Sequence, residues 1–595
     1  MARQDTRRRA AQEHLFGPTM RGGGADITPD RNAPPRPAGR RNIALYAVLL
    51  GLAALLLLGA AAASLSGDPP RSADASPSPP AAAASPSRQP DETAMPGPAS
   101  SPSPPSGPAA TASPAPAVSP APTPALVAGV DGLAVVPVVD FWSPLSDISL
   151  DGLRAALAGR SSAFASVALP AQDRQALADA LGVSPHAGVV TGDAATVRRA
   201  VRDGALGLLR LTDVTPAVRA LAVDGVSLFN NDRLEDLAEW PLVVPAAPED
   251  IGEWRQADNW TMVAGGDIQL DRWMAYHVTT LDKGVDWPWD GGSVRITGRR
   301  CCSDLGHRVP EWESSGNAGA VRRLFSEADL ALANLEAAAV DDPVFHRLGP
   351  RFRFSLSFSG DPRLLDGVQR AGFDVLSLAN NHIHNAGPQG IADTRRHLER
   401  RDIRFAGAGM DVEQATRPAV VQAGQRSVAV LACTSLGRIA GPARAGAAPC
   451  SGNWLVREIR RLAAQVDVVV VVPHWGREYR ATPSPGQRLL AARWVEAGAD
   501  LVLGGHSHWV GSVEEIGDAL VFYSLGNLAF DQPWSEPTMQ GVIVEFTFQG
   551  DRLVQLRLHP TLIVDHVQPN LLERDAGGER VIRRMRAASE GLLPY

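Results

Sequence analysis

The stretch "ADLVLGGHSHWV", residues 499–510, is an apolar run that ends in two glycines and two histidines one residue apart. One such pair says little, because a histidine at the end of a strand is commonly only hydrogen-bonded. However, six apolar runs between residues 260 and 530 end in polar side chains. They read "TMVAGGD", "ADLALANLE", "FDVLSLANNH", "VDVVVVVPHW", "ADLVLGGHSH" and "ALVFYSLGN". Near-continuous apolar runs predict strands buried on both faces of an α/β sheet, where ligands gather beyond the strand ends.

The polar side chains at these strand ends are carboxylates, amides and imidazoles, without a cysteine thiolate. The candidate ligands are Asp267, Glu336, Asn381, His474, His506 and His508. Such oxygen and nitrogen donors suit divalent metals of the Mn, Fe or Zn class better than a structural zinc site. There are too many donors for one ion, whereas two ions bridged by a carboxylate would use them all and could activate water.

The pair of histidines at 506 and 508 is predicted to be extended. In an extended i, i+2 pair the two imidazoles point to the same side, so His506 and His508 would face two adjacent metals. Gly504 and Gly505 precede them. These glycines let the backbone turn close beneath the site.

Six ordered motifs in this region carry a family resemblance. They are "GGDIQLDR", "ANLEA", "SLANNHIHNAG", "PHWGREY", "LVLGGHSHW" and "YSLGNLAFDQ". Residues 260 to 535 thereby resemble the CapA family of capsule-biosynthesis proteins, which is associated with poly-γ-glutamate. That family is similar in fold to the calcineurin-like metallophosphoesterases. The resemblance implies an α/β fold in which a calcineurin-like metallophosphatase sheet sandwich is flanked by helices.

The resemblance also implies roles for individual residues. Asp267 and His508 would bind one metal, Asn381, His474 and His506 would bind the other, and Glu336 would bridge them. His382 would be the general acid. The candidates for substrate binding are Arg272, Asn380, Arg477, Glu478 and Asn527. Structural alternatives remain open: Glu336 could cap a helix, Asn380 and Asn527 could fix loops, and Arg272 could pair with a carboxylate.

The chain departs from the broader superfamily pattern at one position. Most calcineurin-like enzymes have a histidine two residues after the first aspartate, where this chain has Gln269. The CapA branch also lacks that histidine. Water, His277 or His307 could complete the first metal's ligands, or the site could hold a single metal.

The region before residue 126 predicts a membrane anchor. Residues 43–65 contain no charged side chain. A helix of that length spans the hydrocarbon core of a bilayer, which is roughly 30 Å thick. The preceding basic tail, residues 1–42, holds nine arginines against four acidic residues. This excess of positive charge places the N-terminus in the cytoplasm.

The alternative to an anchor is a cleaved signal peptide, although its apolar region is usually only about 7 to 15 residues long. With the anchor, everything after residue 65 would be extracytoplasmic. The protein would then belong to the plasma membrane and have one transmembrane helix.

A linker and a smaller domain follow the predicted helix. Residues 66–125 contain 18 prolines. This composition predicts a disordered, semi-rigid linker. Residues 126–255 alternate short strands and helices, and predict a small α/β domain that resembles one lobe of a solute-binding protein. Its expected role is either ligand binding or spacing. The metallophosphatase-like domain is assigned to residues 256–565, and a helical tail to residues 566–595.

Specific elements are predicted in the small domain. "LAVVPVV" and "HAGVV" have the pattern of strands, and "SLDGLRAALAGR" has that of a helix capped by Ser149. "TGDAATVRRAVRDGALGLLRL" predicts a capped helix, a stop at Gly204 and a further strand.

The charge distribution argues against nucleic-acid binding. The net charge is -7, and removing the +5 of the N-terminal tail leaves about -12 for the rest of the chain. Lys283 is the only lysine. Any anionic ligand must therefore be held by a local site.

Two functions are consistent with these features. The first is an extracytoplasmic, metal-dependent hydrolase or transferase that acts on a phosphoester or γ-glutamyl amide of an envelope or capsule polymer. The second is a membrane-anchored scaffold that binds a capsule synthesis or export complex and keeps a degenerate metal site. The sequence does not identify the substrate, the metal or the oligomeric state.

The four cysteines predict disulfides. The reason is that an outward-facing domain lies where disulfides persist. None is at a candidate metal position. A Cys433–Cys450 bond would close a glycine- and proline-containing loop, and it is favoured over a strained bond between the neighbours Cys301 and Cys302. The rival pairing joins Cys301 or Cys302 to that loop.

Overall fold

The computed structural model describes residues 132–245, 254–303, 305–343 and 357–595. The predicted cytoplasmic tail, transmembrane helix and linker lie outside the described residues. Within the described ranges, no helix is both long enough and apolar enough to cross a membrane.

The first part of the structure is a six-stranded sheet with three helices. Its strand order is β4-β3-β5-β1-β6, and β8 also pairs with β1. The strands, including the small β2–β7 pair, are β1 Leu133–Asp140, β2 Asp147–Ile148, β3 Val167–Pro170, β4 Val190–Gly192, β5 Leu206–Arg210, β6 Val218–Ala220, β7 Ala222–Val223 and β8 Val243–Val244. The helices are α1 Leu150–Leu157, α2 Arg174–Leu181 and α3 Ala194–Arg202.

Most of the predicted elements in this part are confirmed. Ser149 caps α1 by accepting a hydrogen bond from the backbone of Gly152. Asp193 caps α3, and Gly204 follows that helix with a φ of 95° before β5 begins. The strand predicted over "HAGVV" is displaced, because β4 begins only at Val190. The sheet has its own hydrophobic core, which Val554 of the larger part joins.

The larger part contains two main sheets. The first has the order β11-β10-β28-β27-β26-β9-β12-β15-β16 with β25 paired to β9, and the second has the order β18-β19-β21-β22-β24-β23. The strands of the first sheet are β9 Asn259–Ile268, β10 Ser293–Arg300, β11 Val309–Gly316, β12 Leu330–Leu335, β15 Val375–Ser377, β16 Arg404–Ala406, β25 Asn527–Ala529, β26 Gln540–Gln549, β27 Arg552–Val564 and β28 Gln568–Leu572. Those of the second are β18 Ala419–Ala423, β19 Arg426–Thr434, β21 Val468–His474, β22 Leu501–Leu503, β23 Val513–Ile516 and β24 Ala519–Phe522. Short pairs are formed by β13 Ala338–Ala339 with β14 Ser359–Gly360, and by β17 Ala408–Gly409 with β20 Gly446–Ala447.

The two main sheets pack face to face with helices outside them. Side chains alternate between the two faces along a strand. Met262 of β9 and Val470 of β21 accordingly enter the core between the sheets. Their neighbours Val263 and Val471 instead face outer cores that the helices cover. The helices are α4 Arg272–Ala275, α5 Ala320–Ser326, α6 Leu364–Arg370, α7 Gly387–Glu399, α8 Val412–Ala415, α9 Trp454–Leu462, α10 Pro485–Ala497 and α11 Glu579–Ala588. The expectation of strands buried on both faces is therefore confirmed for the central strands.

The C-terminal segment is not entirely helical. Residues 566–595 were expected to form a helical tail, but β28 pairs antiparallel with β27 and parallel with β10. Only α11 is the predicted kind of element, and its Val581, Ile582 and Met585 pack into the core between the sheets. The apolar residues of this segment are thus used by the sandwich.

The cysteines form two disulfides. Cys433, at the end of β19, is joined to Cys450 with Cα atoms 4.8 Å apart. This separation lies within the usual range for a disulfide. The bond confirms the favoured pairing and excludes the rival. Cys301 and Cys302 are joined to each other in the turn after β10.

Candidate functional site

The strand ends named by the sequence meet at one place. In the first sheet, β9, β12 and β15 are parallel neighbours, so their carboxyl ends lie side by side. In the second sheet, β21 and β22 are also parallel. The two sheets are joined there by a hydrogen bond from the His506 backbone N–H to Asp267 Oδ2, at 3.1 Å. The site is therefore built where both sheets end.

Two groups of buried donors share one residue. Glu336, His474 and His506 offer ligand atoms within 4.8 Å of one another, and so do Asp267, Glu336 and His508. Asn381 joins the first group, because its Oδ1 lies 2.8 Å from His474 Nε2. This grouping coincides with the one that the family resemblance implies, with Glu336 in the bridging position.

Unpaired atoms at the centre indicate that a cation belongs there. Glu336 is 0% exposed, and neither of its carboxylate oxygens has a hydrogen-bond partner among the described residues. His506 Nδ1 is buried and unpaired in the same way. Glu336 Oε1 does lie 3.3 Å from His474 Nε2. Burying a polar group without a hydrogen bond is costly, and a divalent cation would offset that cost for both residues. The donor set fits the predicted metal class, and the residues that would hold the metal are those of the two groups.

The backbone of the histidine pair differs from the prediction. His506 and His508 are not extended, because their φ angles are 84° and 56°. These values lie in the left-handed region that side chains other than glycine rarely adopt. The ring centroids of the two histidines are 6.1 Å apart. The tight turn rests on Gly505, where an added Cβ would lie 2.6 Å from Asp267 Oδ1. Left-handed backbone, rather than strand alternation, therefore brings both imidazoles to the centre.

Asn527 positions His508. It is fully buried, and its Nδ2 donates to the Thr538 carbonyl at 2.9 Å. Its Oδ1 therefore faces His508 Nδ1, 2.9 Å away, which must carry the proton. His508 Nε2 is then the unprotonated nitrogen available to a metal. Asn527 was a candidate for substrate binding at the end of a strand, but it begins β25 and its amide is fully occupied, so the structure favours the alternative of a fixed loop.

Asn380 likewise fixes a loop. Its Oδ1 accepts hydrogen bonds from the backbone N–H groups of His382 and Ile383, at 3.0 and 2.9 Å. Its Nδ2 donates to the Leu335 carbonyl at 2.7 Å. These contacts again favour the structural alternative over substrate binding, and they hold His382 at the rim of the site.

Asn334 is a site residue to which the sequence analysis gave no role. Its Nδ2 donates to Asp267 Oδ1 at 2.8 Å and lies 3.3 Å from His474 Nδ1. Asn334 therefore connects Asp267 of one donor group with His474 of the other. Its place at the end of β12, two residues before Glu336, is the only signal that the sequence offers.

His382 presents one nitrogen to the centre. The Phe358 backbone N–H donates to Asn385 Oδ1 at 2.7 Å, and His382 Nδ1 lies 2.8 Å from the same oxygen. Because that oxygen is an acceptor, His382 Nδ1 carries a proton. His382 Nε2 lies 3.7 Å from Glu336 Oε1 and faces the donor groups.

Arg272 lies beside the site on an aromatic ring. Its guanidinium carbon is 4.7 Å from the centroid of Phe358, whose ring lies 4.0 Å from that of His382. Arg272 Nη1 donates to the Asp531 carbonyl at 3.2 Å. The guanidinium is thus held against Phe358, and the nearby Asp531 and Asp271 carboxylates oppose the lowering of the Arg272 pKa by burial.

The remaining candidates lie at the surface or away from the donors. Arg477 and Glu478 are exposed, and Arg477 lines a cavity of about 790 Å³ next to the site. Among the described residues, neither donor group includes His277 or His307. Gln269 is buried, and its Oε1 accepts from the Asp531 backbone N–H at 3.4 Å. No described histidine therefore replaces the one that the superfamily pattern has at this position.

Burial sets the protonation of the donors. It raises the pKa of Asp267 to about 7, with the neighbouring Glu336 carboxylate as the second cause, and it raises the pKa of Glu336 well above its usual value. Burial lowers the pKa of His474 to about 4, of His506 to about 2 and of His508 to about 3. At neutral pH the imidazoles are neutral, and the raised pKa values of Asp267 and Glu336 favour their protonated forms, so metal binding must displace protons from these carboxyls.

Metal affinity is expected to fall as the pH is lowered from about 8 to about 6, by roughly tenfold per pH unit for each proton displaced. The protons come from Asp267 and Glu336, because the imidazoles are already neutral. Without metal, a carboxyl whose pKa is raised by folding destabilises the protein as the pH rises. For Asp267 this loss develops from the ordinary pKa of 3.8 towards about 7. Chelation should therefore destabilise the protein more at about pH 8 than at about pH 6. Calorimetric titration in two buffers of different ionisation enthalpy measures the protons released, and a release of none would contradict the expectation.

The fold and the site define a class of protein. Its members are two-sheet α/β proteins with a buried carboxylate–histidine centre suited to divalent metal. Residues 261–532 match the family model described as "Bacterial capsule synthesis protein PGA_cap". The matched residues make up somewhat less than half of the chain, and this part of the chain is similar to that family. The expected relationship to the CapA family is thereby confirmed.

Individual relatives agree with this assignment. The "Capsule biosynthesis protein CapA" of Bacillus anthracis is 33% identical over 226 residues, which cover 37% of this chain and 53% of the relative. The "PGA biosynthesis protein CapA" of Bacillus subtilis (strain 168) is 30% identical over 216 residues, covering 36% and 56%. The chain thus matches about half the length of these relatives. A phosphatase structure from Mycoplasma pneumoniae is 10% identical, covers 56% of this chain and 99% of its own, and has a TM-score of 0.30, too low to support an argument.

Proposed function

We propose that this protein is a metal-dependent hydrolase that cleaves a phosphoester or γ-glutamyl amide in an envelope or capsule polymer. The observation that carries the proposal is the pair of buried donor groups that share Glu336, with His382 Nε2 directed at them. The choice of polymer rests on the names of the relatives, which refer to capsule and PGA biosynthesis. A divalent metal bound there would activate water and stabilise negative charge in the transition state.

The chain's own residues supply the rest of the reaction. Water attacks the phosphorus or carbonyl carbon and releases a proton to solvent, and the bond to the leaving oxygen or nitrogen breaks. His382, as an imidazolium, donates the Nε2 proton to that leaving atom. Asn385 meanwhile holds the ring through Nδ1. Arg272, fixed against Phe358, binds an anionic group of the substrate.

The test uses His382→Gln in the full-length protein, which should lower kcat about 10²- to 10⁴-fold and leave the bound metal in place. His384→Gln, two residues along the same loop and in neither donor group, is the matched control and should be unaffected. Activity is measured on p-nitrophenyl phosphodiesters, γ-glutamyl p-nitroanilide and oligo-γ-glutamate, and metal by elemental analysis. Equal activity in the two variants would remove His382 from the mechanism.

A scaffold is the second candidate, and Gln269 favours it, because the superfamily histidine is missing next to Asp267, in the donor group that Asp267 forms with Glu336 and His508. In that case the protein binds a capsule synthesis or export complex without catalysis. Asp267→Ala and His506→Ala distinguish the two functions. If capsule formation survives in variants that bind no metal, the hydrolase proposal is wrong and the scaffold is favoured.

The proposal includes an extracytoplasmic location, with residues 43–65 as the anchor in the plasma membrane. Support comes from the uncharged length of that segment and the arginine-rich tail before it. Both features are those of a membrane-spanning helix with a cytoplasmic N-terminus. Protease added to intact cells stripped of outer barriers should cut within residues 66–125 and release a soluble fragment. Full protection of the chain would contradict this topology.

A further inference from the structure

A second cavity lies beside the metal-binding centre, with a volume of about 360 Å³. It is bounded by α4, the turn after β10 and the segment that follows β25. The lining residues used below are Trp273, Cys301, Cys302, Asp531, Trp534 and His566. Its volume falls within the roughly 300 to 1,000 Å³ of small-ligand sites.

Aromatic rings form a continuous strip that starts at this cavity, in which Trp273, Tyr276 and Trp287 are half-buried and His277 is buried. Trp273 stacks on His566 with ring centroids 4.5 Å apart, and it meets Tyr276 edge-on at 5.2 Å. His277 continues the strip from Trp273 to Trp287, with ring centroids 5.6 and 4.6 Å apart. The rings that line the cavity itself are those of Trp273, Trp534 and His566.

The cavity also has an unused acceptor and an unused donor. Asp531 is 2% exposed, and only its Oδ1 is paired, with His566 Nδ1 at 2.9 Å. Asp531 Oδ2 and Trp273 Nε1 are buried and have no hydrogen-bond partner among the described residues. Unpaired buried polar atoms of this kind call for a partner outside the chain.

The chemistry of these groups selects a ligand class. Asp531 and Arg300 both line the cavity, so its charges do not favour an ion of either sign, and Trp273 Nε1 requires an acceptor that an organic cation lacks. A hydroxyl both donates and accepts, so it satisfies both atoms, and the C–H face of a sugar ring packs on indole. We infer that this cavity is a subsite for a glycosyl unit of an envelope glycan.

The subsite is connected to the metal-binding centre. The Asp531 carbonyl accepts the hydrogen bond from Arg272 that fixes the guanidinium next to Phe358. Burial raises the pKa of Tyr479 to about 12, and a hydrogen bond from the Trp534 indole opposes that rise. A sugar held in the cavity would therefore lie one side chain away from Arg272 and Tyr479.

This inference concerns glycan binding and goes beyond the proposed hydrolysis. Its test requires no enzymatic activity. Full-length protein in EDTA is titrated with chito-, manno- and xylo-oligosaccharides of three units, and with a γ-glutamyl trimer, by calorimetry and saturation-transfer NMR. We expect at least one glycan to bind, and Trp534→Ala to weaken that binding by at least about tenfold. Trp312→Ala, at a half-exposed tryptophan on β11 outside the cavity, is the matched control and should leave the affinity unchanged.

Asp531→Asn provides a second variant that leaves the aromatic rings in place. It should also weaken glycan binding, because an amide that satisfies His566 cannot offer the same acceptor. The inference is overturned if no glycan binds, if only the γ-glutamyl trimer binds, or if the cavity variants bind as the wild type does. Hydrolysis without glycan binding would reject this subsite alone, whereas glycan binding without hydrolysis would reject only the proposed activity.

Discussion

Glu336→Gln is expected to remove metal from both donor groups and to lower activity by more than the about 10- to 100-fold that the loss of an outer partner costs. The reason is geometric: Glu336 is the only residue common to the two groups, so its loss affects both at once. The substitution keeps the shape of the side chain and removes the charge. Metal is measured by elemental analysis, and activity on the substrates that the wild type cleaves.

The same variant is expected to lose metal but not stability when the wild type is also metal-free. Both oxygens of Glu336 are buried without hydrogen-bond partners among the described residues. Because burial raises the pKa of Glu336 on folding, this carboxyl makes the metal-free protein lose stability as the pH rises. In EDTA at about pH 8, Glu336→Gln should unfold at the same or a higher denaturant concentration than the wild type. A general folding defect would instead lower that concentration.

Glu545→Gln is the matched control. Glu545 is also buried, at 1% exposed, but it is fully paired, with His559 Nε2 at 2.9 Å and the Asn231 backbone N–H at 2.7 Å. Its replacement should destabilise the protein and leave metal content unchanged. Retention of metal by Glu336→Gln would show that the donors do not form a shared centre.

The strand ends were predictable from the sequence because apolar runs and their polar terminators are local features. A buried strand needs a continuous run of apolar residues, and "VDVVVVVPHW" contains such a run. Parallel pairing then places Asp267 beside the end of β12 in one sheet, and His474 beside the end of β22 in the other. Local pattern therefore identified the donors.

The backbone of the histidine turn was not predictable in the same way. An i, i+2 pair reads as extended unless a tertiary contact overrides it. Here the His506 N–H donates to Asp267, and Gly505 packs against the same carboxylate, so the turn closes with left-handed residues. Both contacts join distant parts of the chain, as Asp267 and His506 are 239 residues apart.

The supporting amides were missed or misassigned for a related reason. Asn334, Asn380 and Asn527 all lie next to candidate ligands, and the sequence cannot say whether an amide faces a substrate or a neighbouring side chain. The structure decides this by burial and by partners: the Thr538 carbonyl occupies Asn527, and the Leu335 carbonyl occupies Asn380. The short strand β28 was missed because "QPNLL" is brief and contains a proline. Proline argues against a strand in any reading of the sequence alone.

The disulfide between Cys433 and Cys450 connects stability to the site. Thr434, directly after Cys433, pairs with His474, and the Ser435 backbone N–H donates to the His474 carbonyl at 3.0 Å. Gly437, with a φ of 72°, lies so close to Asn381 that an added Cβ would be 2.6 Å from its Cα. The loop closed by the disulfide therefore supports two of the candidate ligands from outside.

Replacing both cysteines with alanine is expected to lower the free energy of unfolding by about 3 kcal/mol, the value for a closed loop of roughly 15 residues. Cys433 and Cys450 are buried among the apolar residues of the outer core. Some packing is therefore lost as well. Because the freed loop no longer holds His474 and Asn381, metal affinity should also fall, by about 10- to 100-fold as for other outer supports.

The double variant Cys301→Ala/Cys302→Ala is the control for this prediction. Its bond joins neighbours, closes no loop and is exposed, so the free energy of unfolding should change little. Urea unfolding with and without EDTA separates the contribution of the loop from that of the metal. If the free energy of unfolding falls equally in the two double variants, the loop between Cys433 and Cys450 is held by packing alone.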